Sequence, residues 1–207
     1  MTKQFYENYW KGQNDYLSDF SLKWPKLSKF IPLENNIMIV DFGCGNGKIL
    51  SEIKKINSKA KLIGLDVSAI AIEQAKKDFS GIEFYKITDG ERLPLDDGTT
   101  DFIFSSEVIE HIYDTENAFA EISRILKPNG KLLLTTPYHD HGFIKNLLIT
   151  FFAFNKHFNP TGAHIRFFTK KILLDLLRKN GLKPLLIGYY GRIYPIPHSI
   201  YILTEKI

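Results

Sequence analysis

The sequence predicts an α/β fold, a doubly wound sheet with helices on both faces. Apolar, strand-like runs alternate with helical segments from about residue 37 onward, and this alternation is typical of parallel strands joined by crossover helices. The last two runs, PLLIGYY and SIYILTEK, are joined only by GRIYPIPH. A link that short cannot carry a crossover helix, so we expect the last strand to be antiparallel to its neighbour.

Seven runs have the composition of buried strands, rich in β-branched, aromatic and other apolar residues and bounded by polar or glycine-containing turns. In chain order they are NIMIVDF, KLIGLD, IEFYKI, TDFIFSS, KLLLTT, PLLIGYY and SIYILTEK.

Five segments are predicted to be helical from the spacing of their apolar residues and from their capping residues. Their expected bounds are Leu22–Phe30, Lys48–Ile56, a helix from the N-cap Ser68 to Phe79, a helix from Asp114 or Thr115 to Lys127 before Pro128-Asn129-Gly130, and a helix from the N-cap Thr169 to Lys179.

Length and composition limit the classes of protein to consider. The 207 residues suffice for one domain, and the formal charge of +4 is spread along the chain, which argues against a nucleic-acid partner. The single cysteine, Cys44, excludes an intramolecular disulfide and favours the reducing cytoplasm. The N-terminus lacks the apolar core of a secretory signal. The apolar stretch 143–154 is too short to span a bilayer but is compatible with peripheral membrane contact.

The glycine-rich loop after the first strand is the most informative motif. Gly43, Gly45 and Gly47 follow an apolar run that ends in Asp41. The dinucleotide pattern G-x-G-x-x-G requires a third glycine where this chain has Lys48, and the triphosphate pattern G-x-x-x-x-G-K-[ST] does not fit either. Because Asp41 would repel phosphate and attract a cation, we expect a nucleoside ligand that carries positive charge and no phosphate.

Two further acids indicate which nucleoside this is. Asp66 ends the second strand about twenty residues beyond the loop, where an acid accepts hydrogen bonds from ribose hydroxyls. Asp89 follows the third strand and can accept a hydrogen bond from an exocyclic amine such as that of adenine. An adenosine with a cationic tail that lacks phosphate is S-adenosylmethionine.

In these features the sequence resembles the class I S-adenosylmethionine-dependent methyltransferases. The resemblance is strong over about residues 37 to 136. The matching pieces are VDFGCGNG, GLDVS, ITDGERLPLDDGTTDFIFSSEVIEH and ILKPNGKLLLTTP, and the last two are similar to the small-molecule branch that includes the ubiquinone-biosynthesis O-methyltransferases. The resemblance implies a seven-stranded sheet of order 3-2-1-4-5-7-6 with its last strand antiparallel. We expect a single domain, 1–207, with four segments: a lid or helical segment 1–36, a cofactor-binding core 37–136, an acceptor-site insertion 137–168, and a C-terminal helix and hairpin 169–207.

The resemblance also assigns cofactor contacts. It implies that the methionine part lies against Asp41, Gly43 and Gly45, the ribose against Asp66, and the adenine against Asp89 and Gly90. The full set of candidate cofactor residues is Asp41, Gly43, Cys44, Gly45, Gly47, Asp66, Val67, Asp89, Gly90 and Ser106. Cys44 is interpreted as a small buried side chain and not as a nucleophile, because methyl transfer needs no covalent enzyme intermediate.

The motif Glu107-x-x-Glu110-His111, together with the distant His164, is a candidate metal site. Carboxylates and imidazoles at this spacing can converge on a divalent ion, which would lower the pKa of a bound hydroxyl. The arrangement resembles the metal site of the terminal 2′-O-methyltransferases of small RNAs. The alternative is structural: the two acids contact the cofactor or cap a turn, and His111 packs under the next helix.

The candidate catalytic residues are His111, Glu107, His139 and Tyr138, the last two in the loop TPYHDHGF that follows the fifth strand. A base is needed mainly for a hydroxyl acceptor, whereas an amine acceptor needs only to be neutral. We expect methyl transfer by in-line displacement to an oxygen or nitrogen of a small-molecule, glycan or lipid-linked acceptor. A metal-assisted RNA 2′-O-methyltransferase and a non-catalytic cofactor-binding domain remain alternatives. The sequence does not define the oligomeric state.

Overall fold

Seven strands and five α-helices make up the described part of the computed structural model, which covers residues 20–138, 166, 168–190 and 199–207. The strands are β1 (Met38–Phe42), β2 (Lys61–Asp66), β3 (Glu83–Lys86), β4 (Thr100–Ser106), β5 (Leu126–Pro137), β6 (Leu182–Tyr190) and β7 (Ser199–Lys206). The helices are α1 (Phe20–Leu27), α2 (Lys48–Ile56), α3 (Ala69–Asp78), α4 (Thr115–Ile125) and α5 (Lys170–Lys179), with 3-10 turns at Ser28–Phe30 and Ile109–His111.

The strands form one sheet of order β3-β2-β1-β4-β5-β7-β6. Strands β1 to β5 are parallel neighbours, whereas β7 is antiparallel to both β5 and β6. The predicted fold class, the strand order and the antiparallel last strand are all confirmed. Because β7 lies between β5 and β6, β6 runs in the same direction as β5, and its carboxyl end reaches the same edge of the sheet.

Each face of the sheet has its own apolar core, as expected for alternating side chains on buried strands. On one face Val40 and Ile103 pack with α4 and α5, and on the other Ile39 and Phe104 pack with α1, α2 and α3. The helices therefore cover both faces, as predicted.

Helix ends follow the capping residues identified in the sequence. The side chains of Ser68, Asp114 and Thr169 each accept a hydrogen bond from a backbone N–H in the first turn of α3, α4 and α5. The prediction that the fourth helix reaches Lys127 is wrong: α4 ends at Ile125 and β5 begins at Leu126. The reason is that Leu126 already pairs with Thr100 of β4, so the helix ends and the strand begins before Pro128.

The hairpin of β6 and β7 contains a close contact between Gly188 and Tyr201, which are cross-strand partners. A Cβ at position 188 would lie 2.2 Å from the Tyr201 ring, so only glycine leaves room for the aromatic side chain. Within the described ranges, no helix is long and apolar enough to cross a membrane. The predicted lid aromatics in 1–19 and the apolar stretch 143–154 lie outside the described residues.

Candidate cofactor and acceptor site

The carboxyl ends of the parallel strands bring most of the predicted site residues to one edge of the sheet. Asp41 lies near the end of β1, Asp66 ends β2, Ser106 ends β4 and Tyr138 follows β5. Ligands in doubly wound sheets bind at this edge, where the strand order reverses. Here that reversal falls between β1 and β4.

The glycine loop turns sharply in the left-handed backbone region. Gly43, Gly45 and Gly47 have φ values of 84°, 52° and 80°, which side-chain-bearing residues rarely adopt. A Cβ at Gly43 would also lie 2.3 Å from Val108. The loop is fixed to β2, since the N–H of Gly45 donates to Oδ2 of Asp66 over 2.8 Å. The glycines therefore form a tight turn that is held to β2 at the site edge.

Asp66 also holds the start of the loop after β2. Its Oδ1 accepts a hydrogen bond from the backbone N–H of Ser68 at 2.8 Å, so each of its oxygens already has a backbone donor. Asp66 thus joins the glycine loop to the loop after β2.

Asp41 is a buried acid with unmet hydrogen-bonding capacity. It is 1% exposed, and within the described residues its Oδ2 has no hydrogen-bond partner. Burial foremost, and then the charge of Asp66, raise the pKa of Asp41 to about 8, while nearby Lys23 acts in the opposite direction. In the ligand-free chain the carboxyl is therefore mostly protonated at neutral pH, and a cation beside Oδ2 would favour its ionised form.

Cys44 has no feature of a reactive thiol. Its side chain is 4% exposed, and burial, followed by the charges of Asp66 and Asp41, raises the pKa of the thiol well above its ordinary value. This agrees with the interpretation of Cys44 as a packing residue.

The predicted adenine residues lie further out. Asp89 is exposed, and its Oδ2 accepts a hydrogen bond from the backbone N–H of Tyr113 over 3.3 Å. Gly90 has a φ of 81° with open space on its Cβ side, and Val67 is half-buried after β2.

A chain of hydrogen bonds connects α1 with the end of β4. Lys23 Nζ donates to Ser106 Oγ over 3.0 Å, and Ser106 Oγ lies 3.1 Å from Thr135 Oγ1. Thr135 uses its one hydroxyl hydrogen to donate to Glu107 Oε1 over 2.9 Å, so Ser106 must be the donor to Thr135. Tyr190 also donates to Glu107 Oε1, over 2.8 Å. Each donor in this chain therefore points away from the buried Lys23 ammonium and towards the carboxyl group of Glu107.

Glu107, at the end of that chain, has a strained backbone. Its φ of 58° lies in the left-handed region, which is uncommon for residues other than glycine and is often associated with functional sites. Two hydroxyl donors fix one of its oxygens. Burial, followed by the charge of Glu107, raises the pKa of Tyr190 above its ordinary value, so this phenol remains a hydrogen-bond donor.

The candidate metal ligands are not gathered around one point in the described part of the chain. There, no group of three or more His, Cys, Asp or Glu side chains is arranged to hold a metal ion. Glu110 is buried with Oε2 accepting from Thr136, and its Oε1 lies 3.7 Å from Nε2 of His111. Burial, and then the charge of Glu107, raise the pKa of Glu110 well above its ordinary value. His164 lies outside the described residues, so the metal site stays a prediction.

Tyr138 is half-buried, and its ring packs against Tyr189 with centroids 5.0 Å apart. Few residues of the predicted acceptor insertion are described. Phe168 forms a bridge with Tyr138, and Arg166 donates to backbone carbonyls of Ile112 and Tyr113. His139 lies outside the described residues.

The sequence interpretation did not include Lys23, Thr135 or Tyr190. A signal for Lys23 was present, because it lies four residues before the buried Leu27 and therefore on the same face of a helix. A signal for Tyr190 was also present: β6 was predicted, and its carboxyl end belongs to the site edge once β7 is placed between β5 and β6.

Known proteins resemble this chain in the sequence of its central part and in its fold. Residues 40–134 match the family described as a methyltransferase domain. In the solved structures, a methyltransferase in complex with the Haloferax volcanii Trm112 methyltransferase activator is similar over 97% of this chain and 96% of its own, with a TM-score of 0.76 and 17% identity. At that identity the similarity concerns the fold alone.

Curated relatives have several stated activities. A malonyl-[acyl-carrier protein] O-methyltransferase of Hahella chejuensis is 33% identical over 47% of this chain and 36% of its own length. A probable tRNA methyltransferase 9B of Homo sapiens is 32% identical over 65% of this chain and 29% of its own. A ubiquinone/menaquinone biosynthesis C-methyltransferase of Desulfotalea psychrophila is 25% identical over 74% and 70%. The match thus covers less than half the length of the first two relatives.

The match of residues 40–134 to a methyltransferase domain and the sheet topology both support the resemblance to the class I S-adenosylmethionine-dependent methyltransferases. The family resemblance seen in the sequence is confirmed, and S-adenosylmethionine is the cofactor of that family.

Proposed function

We propose that this chain binds S-adenosylmethionine and transfers its methyl group to an oxygen or nitrogen of a small-molecule, glycan or lipid-linked acceptor. The observation that carries the proposal is the buried, unpartnered Oδ2 of Asp41 beside a loop of three left-handed glycines. An unpaired buried acid is costly unless a ligand completes its interactions. A ligand with a cationic tail fits that position, and a phosphate does not.

Two further acids suit different parts of the ligand, the ribose and the adenine. Asp66, which holds Gly45 at the end of β2, accepts hydrogen bonds from the ribose hydroxyls. Asp89 lies on the exposed side, where an adenine amine can reach it. S-adenosylmethionine supplies an activated methyl group on sulfur, which an acceptor takes by in-line displacement. The chain's own contribution is then mainly positioning and exclusion of water.

Glu107 is the favoured candidate to accept a proton or hydrogen bond from the acceptor. It lies at the carboxyl end of β4 next to the predicted cofactor contact Ser106, and hydroxyl donors orient one of its oxygens. His111 is 18% exposed beside Glu110 and is a second candidate. Tyr138 and Tyr189 supply an aromatic wall that suits an apolar or planar acceptor.

A divalent metal bound by Glu107, Glu110, His111 and His164 remains a separate hypothesis. Metal analysis of purified protein tests it, with Glu110→Ala and His164→Ala as variants. Activity that survives both substitutions and a chelator would rule out a metal requirement.

The acceptor class has a second candidate. The similarity to a tRNA methyltransferase over 65% of the chain favours RNA, but the spread-out charge of +4 is weak for a nucleic-acid surface. Metabolite and total RNA extracts offered as acceptors in parallel distinguish the two.

Binding is the first test. S-adenosylmethionine and S-adenosylhomocysteine should each raise the melting temperature, since a ligand at about 100 times its Kd stabilises by about 2.7 kcal/mol. The matched variant Asp66→Ala should reduce the shift. Absence of any shift with either ligand would overturn the proposal. Transfer of labelled methyl into an extract, with the product identified by mass, then defines the acceptor.

A further inference from the structure

The chain between β3 and β4 carries the two predicted adenine residues, Asp89 and Gly90, and is fixed to the protein on both sides of them. On the near side, the N–H of Ile87 donates to the carbonyl of Asp66 at the end of β2 over 2.9 Å. On the far side, Leu93 is 5% exposed and belongs to the apolar core. The adenine residues therefore lie in a short segment between two anchored positions.

Two side chains of α4 form the far anchor. Oε2 of Glu121 accepts a hydrogen bond from the backbone N–H of Leu93 over 2.7 Å, and Nη2 of Arg124 donates to the carbonyl of Leu93 over 3.2 Å. Nη1 of Arg124 donates to the carbonyl of Leu95 over 2.8 Å and to Oδ1 of Asp97 over 2.6 Å. This pair, the Glu121–Arg124 clamp, thus binds both backbone groups of Leu93 and the residues that follow.

The two side chains of the clamp also fix each other. Nε and Nη2 of Arg124 donate to the two carboxylate oxygens of Glu121 over 2.8 and 2.7 Å, and each side chain is 15% exposed. Bidentate pairs of this kind are stronger and better defined in geometry than ordinary hydrogen bonds. The hydrogen bonds from Arg124 hold the pKa of Glu121 below its ordinary value, so its carboxylate stays ionised at neutral pH. The clamp therefore holds Leu93 in one defined position.

The position of Asp89 depends on the backbone that carries it. Its side chain is exposed, and in the described part of the chain its hydrogen bond is the one that Oδ2 accepts from the N–H of Tyr113 over 3.3 Å. Asp89 can accept a hydrogen bond from the adenine amine only if its carboxyl group lies in the right place. A group that is held in place before binding loses less conformational entropy when the ligand arrives, so anchoring of this segment favours adenine binding.

We propose that Glu121 and Arg124 are positioning residues of the cofactor site, and that their clamp on Leu93 sets the preference of the site for adenine. This inference rests on the proposed function and adds a specificity to it. The preference then originates in α4, outside the predicted cofactor contacts.

The experiment measures the Kd of S-adenosylhomocysteine and of its deaminated form, which has a carbonyl oxygen where adenine has its amine. The native chain should prefer S-adenosylhomocysteine by about tenfold or more, because Asp89 accepts a hydrogen bond from an amine and repels a carbonyl oxygen. Arg124→Gln should lower this preference to less than about threefold, mainly by weakening binding of S-adenosylhomocysteine. The matched control is Arg178→Gln, because Arg178 also pairs with an acid three residues before it, Asp175, but on the exposed surface of α5. This control should leave both Kd values unchanged.

Three results would overturn the inference alone: a native chain that binds both ligands equally, an Arg124→Gln variant that keeps the native preference, or an equal loss for both ligands. Either of the last two results would mean that the clamp only stabilises the fold. Arg124→Lys serves if the Gln variant does not fold, because it keeps the charge but lacks the planar group that reaches both carbonyls and the carboxylate. It too should lower the preference. A native chain that binds neither ligand would instead remove the proposed function together with this inference.

Discussion

Individual buried polar residues define the site of this chain. Asp41 and Glu110 each bury a carboxyl oxygen without a hydrogen-bond partner in the described region, and Glu107 adopts a left-handed backbone conformation. Groups of this kind reduce the stability of the ligand-free protein. Their presence at the edge where the strands end is expected when a ligand is to complete the interactions.

The affinity for S-adenosylmethionine should depend on pH through Asp41. Because the ligand-free pKa of Asp41 is about 8, the carboxyl must lose a proton before it can pair with a cation. Affinity should rise by up to about tenfold per pH unit below 8 and level off above. Calorimetric titration across this range measures it. Asp41→Asn should bind more weakly, and a pH dependence that persists in this variant would assign the effect to another group.

The same group should destabilise the ligand-free protein at high pH. Burial raises the pKa of Asp41 from 3.8 to about 8, so the folded state holds this proton more tightly than the unfolded state does. The stabilisation that protonated Asp41 gives the folded state is fully present below about pH 4. It is lost as the pH rises to about 8, and the total loss in the free energy of unfolding is on the order of 4 to 6 kcal/mol. Urea unfolding of the native chain and of Asp41→Asn at pH values of about 5 and 9 measures this, and the variant should lose less stability between them. An equal loss in both proteins would contradict the assignment.

The bond between Tyr190 and Glu107 should contribute measurably to stability. Tyr190→Phe leaves a partly buried carboxyl oxygen of Glu107 with one donor fewer, and we expect a loss of about 1.5 to 3 kcal/mol in the free energy of unfolding. Tyr85 and Glu83 form the same type of pair on the exposed surface at 2.7 Å. Tyr85→Phe is therefore a matched control that should have a much smaller effect on the free energy of unfolding. Equal effects of the two substitutions would contradict the importance of burial.

At the scale of elements, the glycine loop and α1 position the cofactor residues. The loop connects β1 to α2 and is held to β2 through Asp66, whereas α1 reaches the same edge from an earlier part of the chain. At Gly47, a Cβ would lie 2.8 Å from the Phe84 ring and 3.2 Å from Cβ of Ala75. The loop is thus packed closely against α3 and β3, and its left-handed backbone conformation suits glycine.

Comparison of Gly47→Ala with Gly98→Ala should separate strain from packing. Both glycines have left-handed φ values, 80° and 62°, but a Cβ at Gly98 meets only open space. The backbone strain should cost about 1 to 2 kcal/mol in each variant, and the crowding in Gly47→Ala about 1 to 3 kcal/mol more. Thermal unfolding measures the difference. Similar losses in both variants would mean that Phe84 and Ala75 adjust without cost.

The sequence predicted the fold more fully than it predicted the site. Strand patterns, caps and the glycine loop are local, so β1 to β7 and the N-caps of α3 to α5 could be located without coordinates. The pairing of Tyr190 with Glu107 joins residues 83 positions apart, and the contact of Lys23 with Ser106 spans the same separation. Local patterns do not encode such contacts. These contacts follow from the strand order and from the way α1 packs on the sheet. The sequence located this helix but did not define its orientation.

At the scale of the whole molecule, the two halves of the sheet carry different parts of the proposed site. Parallel strands β1, β2 and β4 carry the proposed cofactor contacts, and β5 with the β6–β7 hairpin carries Thr135, Tyr138 and Tyr190. Strands β1 and β4 are central, whereas β3 and β6 lie at the edges. Local stability should therefore decrease from the centre of the sheet outward.

Hydrogen exchange should show this gradient. Amides of β1, β4 and β5 should exchange at the rate set by global unfolding, and those of β3, which pairs on one side only, should exchange faster. S-adenosylmethionine should add protection in the loop 43–47. Mass spectrometry of peptic fragments measures both effects. A loop 43–47 that gains no protection when S-adenosylmethionine is bound would contradict the proposed cofactor site.

The position of β7 has a consequence for the order in which the protein can form during synthesis. Within the described sheet, one side of β5 is covered by β7, whose residues 199–206 leave the ribosome after the other six strands of that sheet. Until then β5 presents an unpaired edge, and β6 has no neighbour in the sheet. The half of the sheet that carries the glycine loop can assemble beforehand, while Tyr190 reaches Glu107 only when the last strand is inserted. Cofactor binding to the nascent chain would therefore come before the acceptor side is complete.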